Sequence, residues 1–232
     1  MGLDHIVVGA ASLERGLVWA ERTFGVSLAQ GGKHPGRGTC NALGGLGSNT
    51  YLELLAYDPE QERPPADFLP EDEPELIHYA VGTNNLATVR ASAIERGLRP
   101  GEITPWKRET ADGTVLHWEL LFIYGHDAGA AMPFFIDWHA TPKPGDTLTQ
   151  VATLDSIHIE TPHVELIQPI LESAQCALKV ERSPVTKLHC DIISLGACST
   201  ANPDLMTSTP HPQKITISSG DGFPRGMMPD PI

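Results

Sequence analysis

The sequence predicts an α+β fold built from repeated β-α-β-β-β modules. Two observations carry that reading. LDHIVVGAASL at 3–13 nearly recurs as LIHYAVGTNNL at 76–86, with His5 and His78 as far apart as Gly9 and Gly82. In each copy a later apolar strand bears one carboxylate: YLELL with Glu53, then FFIDW with Asp137. Two modules that each supply one histidine and one acid are what a metal site at a pseudo-twofold axis needs.

In the first module, residues 1–58, alternation along 3–9 puts Ile6 and Val8 on one face and His5 and Val7 on the other. Ser12 is positioned to cap a helix whose Leu13, Leu17, Ala20 and Phe24 recur at helical spacing, and Gly25 ends it. Strands are expected near 26–31, 38–46 and 50–57. Residues 59–75, rich in proline and acid, read as a surface linker. The second module, 76–142, opens with strand 76–82. A helix follows from about Asn85 to Arg96, turning Leu86, Val89 and Ala93 inward and stopping at Gly97. Strands near 101–109, 114–124 and 132–139 complete it.

A third, degenerate copy spans 149–219. TLDSIHIETP reads as its first strand, and Val164, Ile167, Leu171 and Ala174 form a helical stripe despite Pro169. Strands near 178–183, 187–195 and 214–218 follow. Ser156 stands where the other modules have histidine, His158 lies two residues on, and the closing strand KITISS has no acid. This unit is expected to be architectural. Residues 220–232 form a tail.

Composition narrows the function. Hydrophobic residues at 41% and charged ones at 19% are those of a globular chain with a full core. A net charge of −13 repels phosphate backbones, so nucleic acid is not expected as a partner. No apolar run approaches ~18 residues, so no membrane span is expected. MGLDHIVV has no basic segment before a long apolar core, so a cytoplasmic location is expected. Cys40, Cys176, Cys190 and Cys198 form no CxxC pair, which disfavours a zinc knuckle and suits reduced thiols.

The chemistry rests on carboxylates held in apolar strands. Glu53, among Tyr51, Leu52, Leu54 and Leu55, needs a partner, because an unpaired buried charge costs several kcal/mol. Asp137 between Ile136 and Trp138 poses the same problem. Histidine and carboxylate ligands suit zinc, nickel, iron or manganese rather than calcium. Lys33, His34 and Arg37 form a compact basic loop in an acidic chain, suited to holding a substrate carboxylate or enolate. Thr39 and Asn41 on the next strand are candidates to orient substrate oxygens, or to satisfy neighbouring backbone. Trp106, Lys107 and Arg108 lie on the second module's matching strand, with His117 and Trp118 on the next, and Trp138 flanks Asp137. His126, His139, His163, His189 and His211 are left without a role.

Together, the repeated modules and their His/acid pairs resemble the vicinal oxygen chelate superfamily. GGKHPGRGTCNALGGLGSNTYLELLAYD resembles its glyoxalase-like domain group in the GG-x-H, GT-x-N and YLEL pattern. The resemblance covers roughly residues 3–140. It implies paired modules whose curved, mixed sheets enclose a cup, with a divalent metal on His5, Glu53, His78 and Asp137. Around that cup, catalytic roles are expected for Glu53 and His34, and substrate contacts from Lys33, Arg37, Thr39, Asn41, Arg108 and Trp118. The expected function is metal-dependent isomerase, lyase or ring-cleaving dioxygenase chemistry on a small oxygenated organic molecule, in a chain able to form a homodimer. The alternative is a non-catalytic protein that binds or sequesters a small molecule.

Overall fold

The two sequence copies become the two halves of one sheet. In the computed structural model, residues 2–64, 68–109, 113, 115–195 and 212–220 are described. The first module supplies β1 (Gly2–Ala10), α1 (Leu13–Phe24), β2 (Ala29–His34), β3 (Thr39–Gly45) and β4 (Tyr51–Tyr57). The second supplies β5 (Glu75–Gly82), α2 (Leu86–Glu95), β6 (Arg99–Pro100), β7 (Thr104–Glu109), β8 (Val115–Leu121), β9 (Ile123–Tyr124) and β10 (Phe134–Asp137). Eight of these strands form a single sheet in the order β2-β3-β4-β1-β5-β10-β8-β7, while β6 and β9 pair as a separate ribbon. Within each half the first strand runs parallel to the last, and β1 and β5 meet antiparallel at the centre. The sheet curls into a half-barrel.

Local signals explain the helices. Ser12 accepts from the backbone N–H of Arg15 at the start of α1. Gly25 closes it in the left-handed conformation at φ 74°, which glycine adopts without a Cβ clash. Asn85 caps α2 by accepting from Thr88. Gly16, Ala20 and Phe24 on α1 and Leu86, Val89 and Ala93 on α2 are buried in the same large apolar cluster or against it.

The third unit follows a short helix α3 (Pro144–Thr147). It comprises β11 (Ala152–Thr161), α4 (Val164–Ser173), β12 (Val180–Arg182), β13 (Lys187–Ser194) and β14 (Lys214–Ser218). It keeps the strand-helix-strand order but not the pairing. Its sheet runs β12-β11-β13-β14, so the first strand lies between the second and third instead of beside the last. Ile159, Leu188, Cys190, Ile192 and Ile217 join the core formed by α1, α2 and the outer face of the large sheet. Ser156, His158 and Asp191 cluster away from the cup: Ser156 Oγ is 2.9 Å from His158 Nε2 and 3.3 Å from Asp191 Oδ2.

Segment 59–75 is not wholly a surface linker. Phe68 and Leu69 are buried, and their backbone N–H groups donate to Tyr57 Oη. Two apolar residues in a run of acids and prolines do not move its average composition, yet they pack against the concave face with Val7, Leu55 and Ile136. Cys40, Cys176 and Cys190 are free and buried. Among the described residues no helix is long and apolar enough to cross a membrane. Cys198, His211, residues 65–67 and the tail from 221 lie outside the described residues.

Candidate active site

The concave face of the half-barrel forms a cavity of about 330 Å³. His5 and Val7 of β1, Glu53 and Leu55 of β4, and Thr39 and Asn41 of β3 line one side. His78 of β5, Phe134 and Ile136 of β10, Trp118 of β8 and Trp106 and Arg108 of β7 line the other. Every residue expected at the site except Asp137 borders this cup.

Glu53 is the centre of its polar side. One oxygen lies 3.4 Å from His5 Nε2, and the other accepts from Asn41 Nδ2 at 2.6 Å and sits 3.9 Å from His34 Nε2. Burial opposes its charge, but the His5 hydrogen bond and charge, with help from His34 and Asn41, hold its pKa down at about 2. His5 is reciprocal. Burial disfavours its cation, yet Asp4 and Glu53 raise its pKa to about 9.

Asp4 is the site residue that the sequence reading missed. Strict alternation would turn it away from His5. The β1–β5 register shifts between Leu3 and His5, and this bulge brings the two neighbouring side chains together. Asp4 Oδ1 is 2.8 Å from His5 Nδ1 and accepts from Trp138 Nε1 at 3.4 Å; Lys143 Nζ lies 3.6 Å from its other oxygen. The available signal was an acid inside an apolar strand, the same argument that singled out Glu53.

The GG-x-H and GT-x-N pattern is explained by close approach. A Cβ on Gly31 would lie 2.0 Å from Asn41 Oδ1, the oxygen that accepts from Gly32 N–H. A Cβ on Gly32 would meet Arg108 Cδ at 3.1 Å, where β7 crosses near β2. His34 Nδ1 is 2.8 Å from Thr39 Oγ1. Burial, opposed by Glu53 but helped by Arg108 and Arg37, lowers the His34 pKa. Gly31→Ala is expected to cost about 1–3 kcal/mol by overpacking, whereas Gly2→Ala, with open space around it, should cost little. Thermal denaturation of both checks this, and equal shifts would show that Asn41 does not need the gap.

The metal expectation meets three obstacles. First, Asp137 is turned out of the cup. Phe134 pairs with Ala80 as Glu53 pairs with Val7, so the second module's counterpart of Glu53 is an aromatic ring. Asp137 is three residues further along and on the opposite face. It accepts from His139 N–H at 2.7 Å, shaping a turn in which His139 has φ 51°. Second, His5 Nε2 faces Glu53 at 3.4 Å, so these two expected ligands stand as an ion pair with each other. Third, His78 Nδ1 accepts from Tyr79 N–H, so its neutral ring carries hydrogen on Nε2 and offers no free lone pair. Burial, reinforced by His126 and His5, lowers the His78 pKa to about 3. Among the described residues no three His, Cys, Asp or Glu side chains converge as a metal site. The donor set does not fit the ion.

Two further contacts complete the lining. Lys33 ion-pairs with Glu60 and lies 3.9 Å from Asp58, so its charge is spent on the segment after β4. Phe134 meets both the His5 and His78 rings edge-on, with centroids 5.4 and 5.1 Å away.

A family model described as a glyoxalase-like domain matches residues 3–174, well over half of the chain. No curated protein matches the sequence. Among solved structures, a hypothetical protein from Staphylococcus aureus is similar at 17% identity and TM-score 0.58, over 80% of this chain and 87% of that one. Methylmalonyl-CoA epimerase from Mycobacterium tuberculosis shows 23% identity and TM-score 0.43, over 63% and 92% of the two chains. A Streptomyces coelicolor methylmalonyl-CoA epimerase variant shows 17% identity and TM-score 0.44, over 60% and 99%. The epimerases superpose too loosely to bear on chemistry, and the first likeness speaks for the fold alone. By its sequence match, carried on two modules sharing one curled sheet, the chain belongs to the glyoxalase-like domain family of the vicinal oxygen chelate superfamily.

Proposed function

We propose that this protein is a glyoxalase-like enzyme that moves a proton on a small oxygenated organic molecule held in the cup, with His34 as the base. The observation that carries the reading is the setting of His34. Its ring is anchored at Nδ1 by Thr39, and its Nε2 lies 3.9 Å from the Glu53 carboxylate in the wall of the cavity. With Thr39 Oγ1 accepting from Nδ1–H, the Nε2 lone pair is available to take a proton. The lowered pKa keeps the ring neutral at pH 7, as a base requires. Glu53, kept ionised by His5, stabilises the imidazolium that results. Arg108 is the cation available to a substrate oxygen that gains charge. Proton transfer next to a carbonyl opens isomerase and lyase reactions alike, and none of these steps is routed through a metal.

The rival reading is a protein that only sequesters its ligand, and the tryptophans of the cup favour it. Solvent exchange separates the two. In D2O, a panel of small 2-oxo acids and 1,3-dicarbonyl compounds should include members whose acidic C–H hydrogens exchange faster with the protein than in buffer. His34→Gln is expected to slow that exchange by about 10²–10⁴-fold. Exchange no faster than buffer for every member would leave only the sequestering role, and acceleration unchanged in His34→Gln would remove His34 as the base.

A further inference from the structure

The two sides of the cup differ in chemistry, and the difference selects a ligand. The first module's side is polar, and its charges are matched: His5 and Lys143 face Asp4 and Glu53. The second module's side is aromatic. Trp106 stacks on Trp118 with centroids 6.3 Å apart and planes 18° apart, and Trp118 meets Trp138 at 5.2 Å. Phe122 and Phe134, which also line the cup, stack at 5.2 Å. These rings border an open cavity instead of one another alone, so a flat apolar surface laid on them would remove them from water.

At the junction of the two sides stand two arginines with no ion pair among the described residues. Arg37 lies over the Trp106 ring at 5.3 Å. Arg108, whose aliphatic stem approaches the bare backbone of Gly32, has its Nε buried with no hydrogen-bond partner among the described residues. A buried N–H without an acceptor is costly unless a ligand supplies one, and a guanidinium fork matches a carboxylate. A cation left unmatched is conspicuous in a chain of net charge −13.

We propose that the cup takes a planar aromatic acid, its ring against Trp118 and the neighbouring tryptophans and its carboxylate on Arg108. The inference deepens the functional reading by naming the substrate class, but binding does not depend on turnover. Three of the four tryptophans line the cup, so fluorescence, with calorimetry alongside, reports occupancy.

The probes are 2-naphthoate, the neutral isostere 2-naphthamide and the non-aromatic cyclohexanecarboxylate. 2-Naphthoate is expected to bind roughly tenfold or more tightly than either. Arg108→Gln should erase the preference for naphthoate over naphthamide, and Arg108→Lys should recover part of it. Trp118→Leu should erase the preference for naphthoate over cyclohexanecarboxylate. Circular dichroism confirms folding of each variant, and one that unfolds yields to its conservative partner, Arg108→Lys or Trp118→Phe. Naphthamide binding as tightly as naphthoate, a carboxylate preference surviving Arg108→Gln, or no naphthoate binding at millimolar concentration would overturn the proposal. Naphthoate binding without catalysed hydrogen exchange in any dicarbonyl would uphold it while removing the enzyme reading.

Discussion

Asp4→Ala is expected to destabilise the protein by about 3–5 kcal/mol and to abolish ligand binding in the cup, because it removes the shared anion of a buried cluster. Asp4 is 2% exposed and holds His5, Lys143 and the Trp138 indole at once. Without it the imidazolium has only Glu53, at 3.4 Å, and the ammonium has no counter-charge in that cluster. Asp4→Asn keeps the shape and separates charge from packing. In that variant the His5 titration, followed by NMR of its imidazole, should move down from about 9, since burial then meets less opposition. An Asp4→Ala protein within about 0.5 kcal/mol of wild type in chemical denaturation would show that the bulge and its acid are incidental.

Glu53→Gln should cost about 3 kcal/mol at pH 5–6, the low end for breaking a buried ion pair, because Asp4 still holds His5. It should also remove the anion that stabilises protonated His34. The pH dependence follows from the two titrations. His5 is raised from 6.5 to about 9, so its contribution is complete below 6.5 and is lost as pH rises through about 9. Glu53 is lowered from 4.5 to about 2, so its contribution is complete above 4.5 and is lost as pH falls through about 2. The stability gap between wild type and Glu53→Gln is therefore widest between about 4.5 and 6.5 and narrows on both sides. Denaturation midpoints across pH 3 to 10 measure it. A gap that stays constant from pH 5 to 10 would mean that His5 is not the partner.

The sequence alone determined the modules and the cup. Strand and helix positions follow from local alternation, from Ser12, Asn85 and Gly25, and from the 73-residue recurrence of His5 and Gly9. The caps and alternation are local and the recurrence is a repeat of residue identity, so a linear reading recovers them. Glu53 was singled out because a buried carboxylate demands partners, His5 by its recurrence as His78, and His34 and Asn41 by the basic loop and the strand after it; the structure lines one cavity with all four. Register was not legible. Whether Asp137 or Phe134 stands opposite Glu53 depends on how β10 slides along β5, and a shift of one residue exchanges the two faces of a strand. The bulge at Asp4 likewise arises from pairing with β5, which lies some seventy residues away. Only the tertiary structure could replace a twofold metal site with a lopsided cup, polar on one side and aromatic on the other. Two copies of a motif share their periodicity through sequence, but each ligand's direction is set by cross-strand hydrogen bonds that the periodicity does not encode.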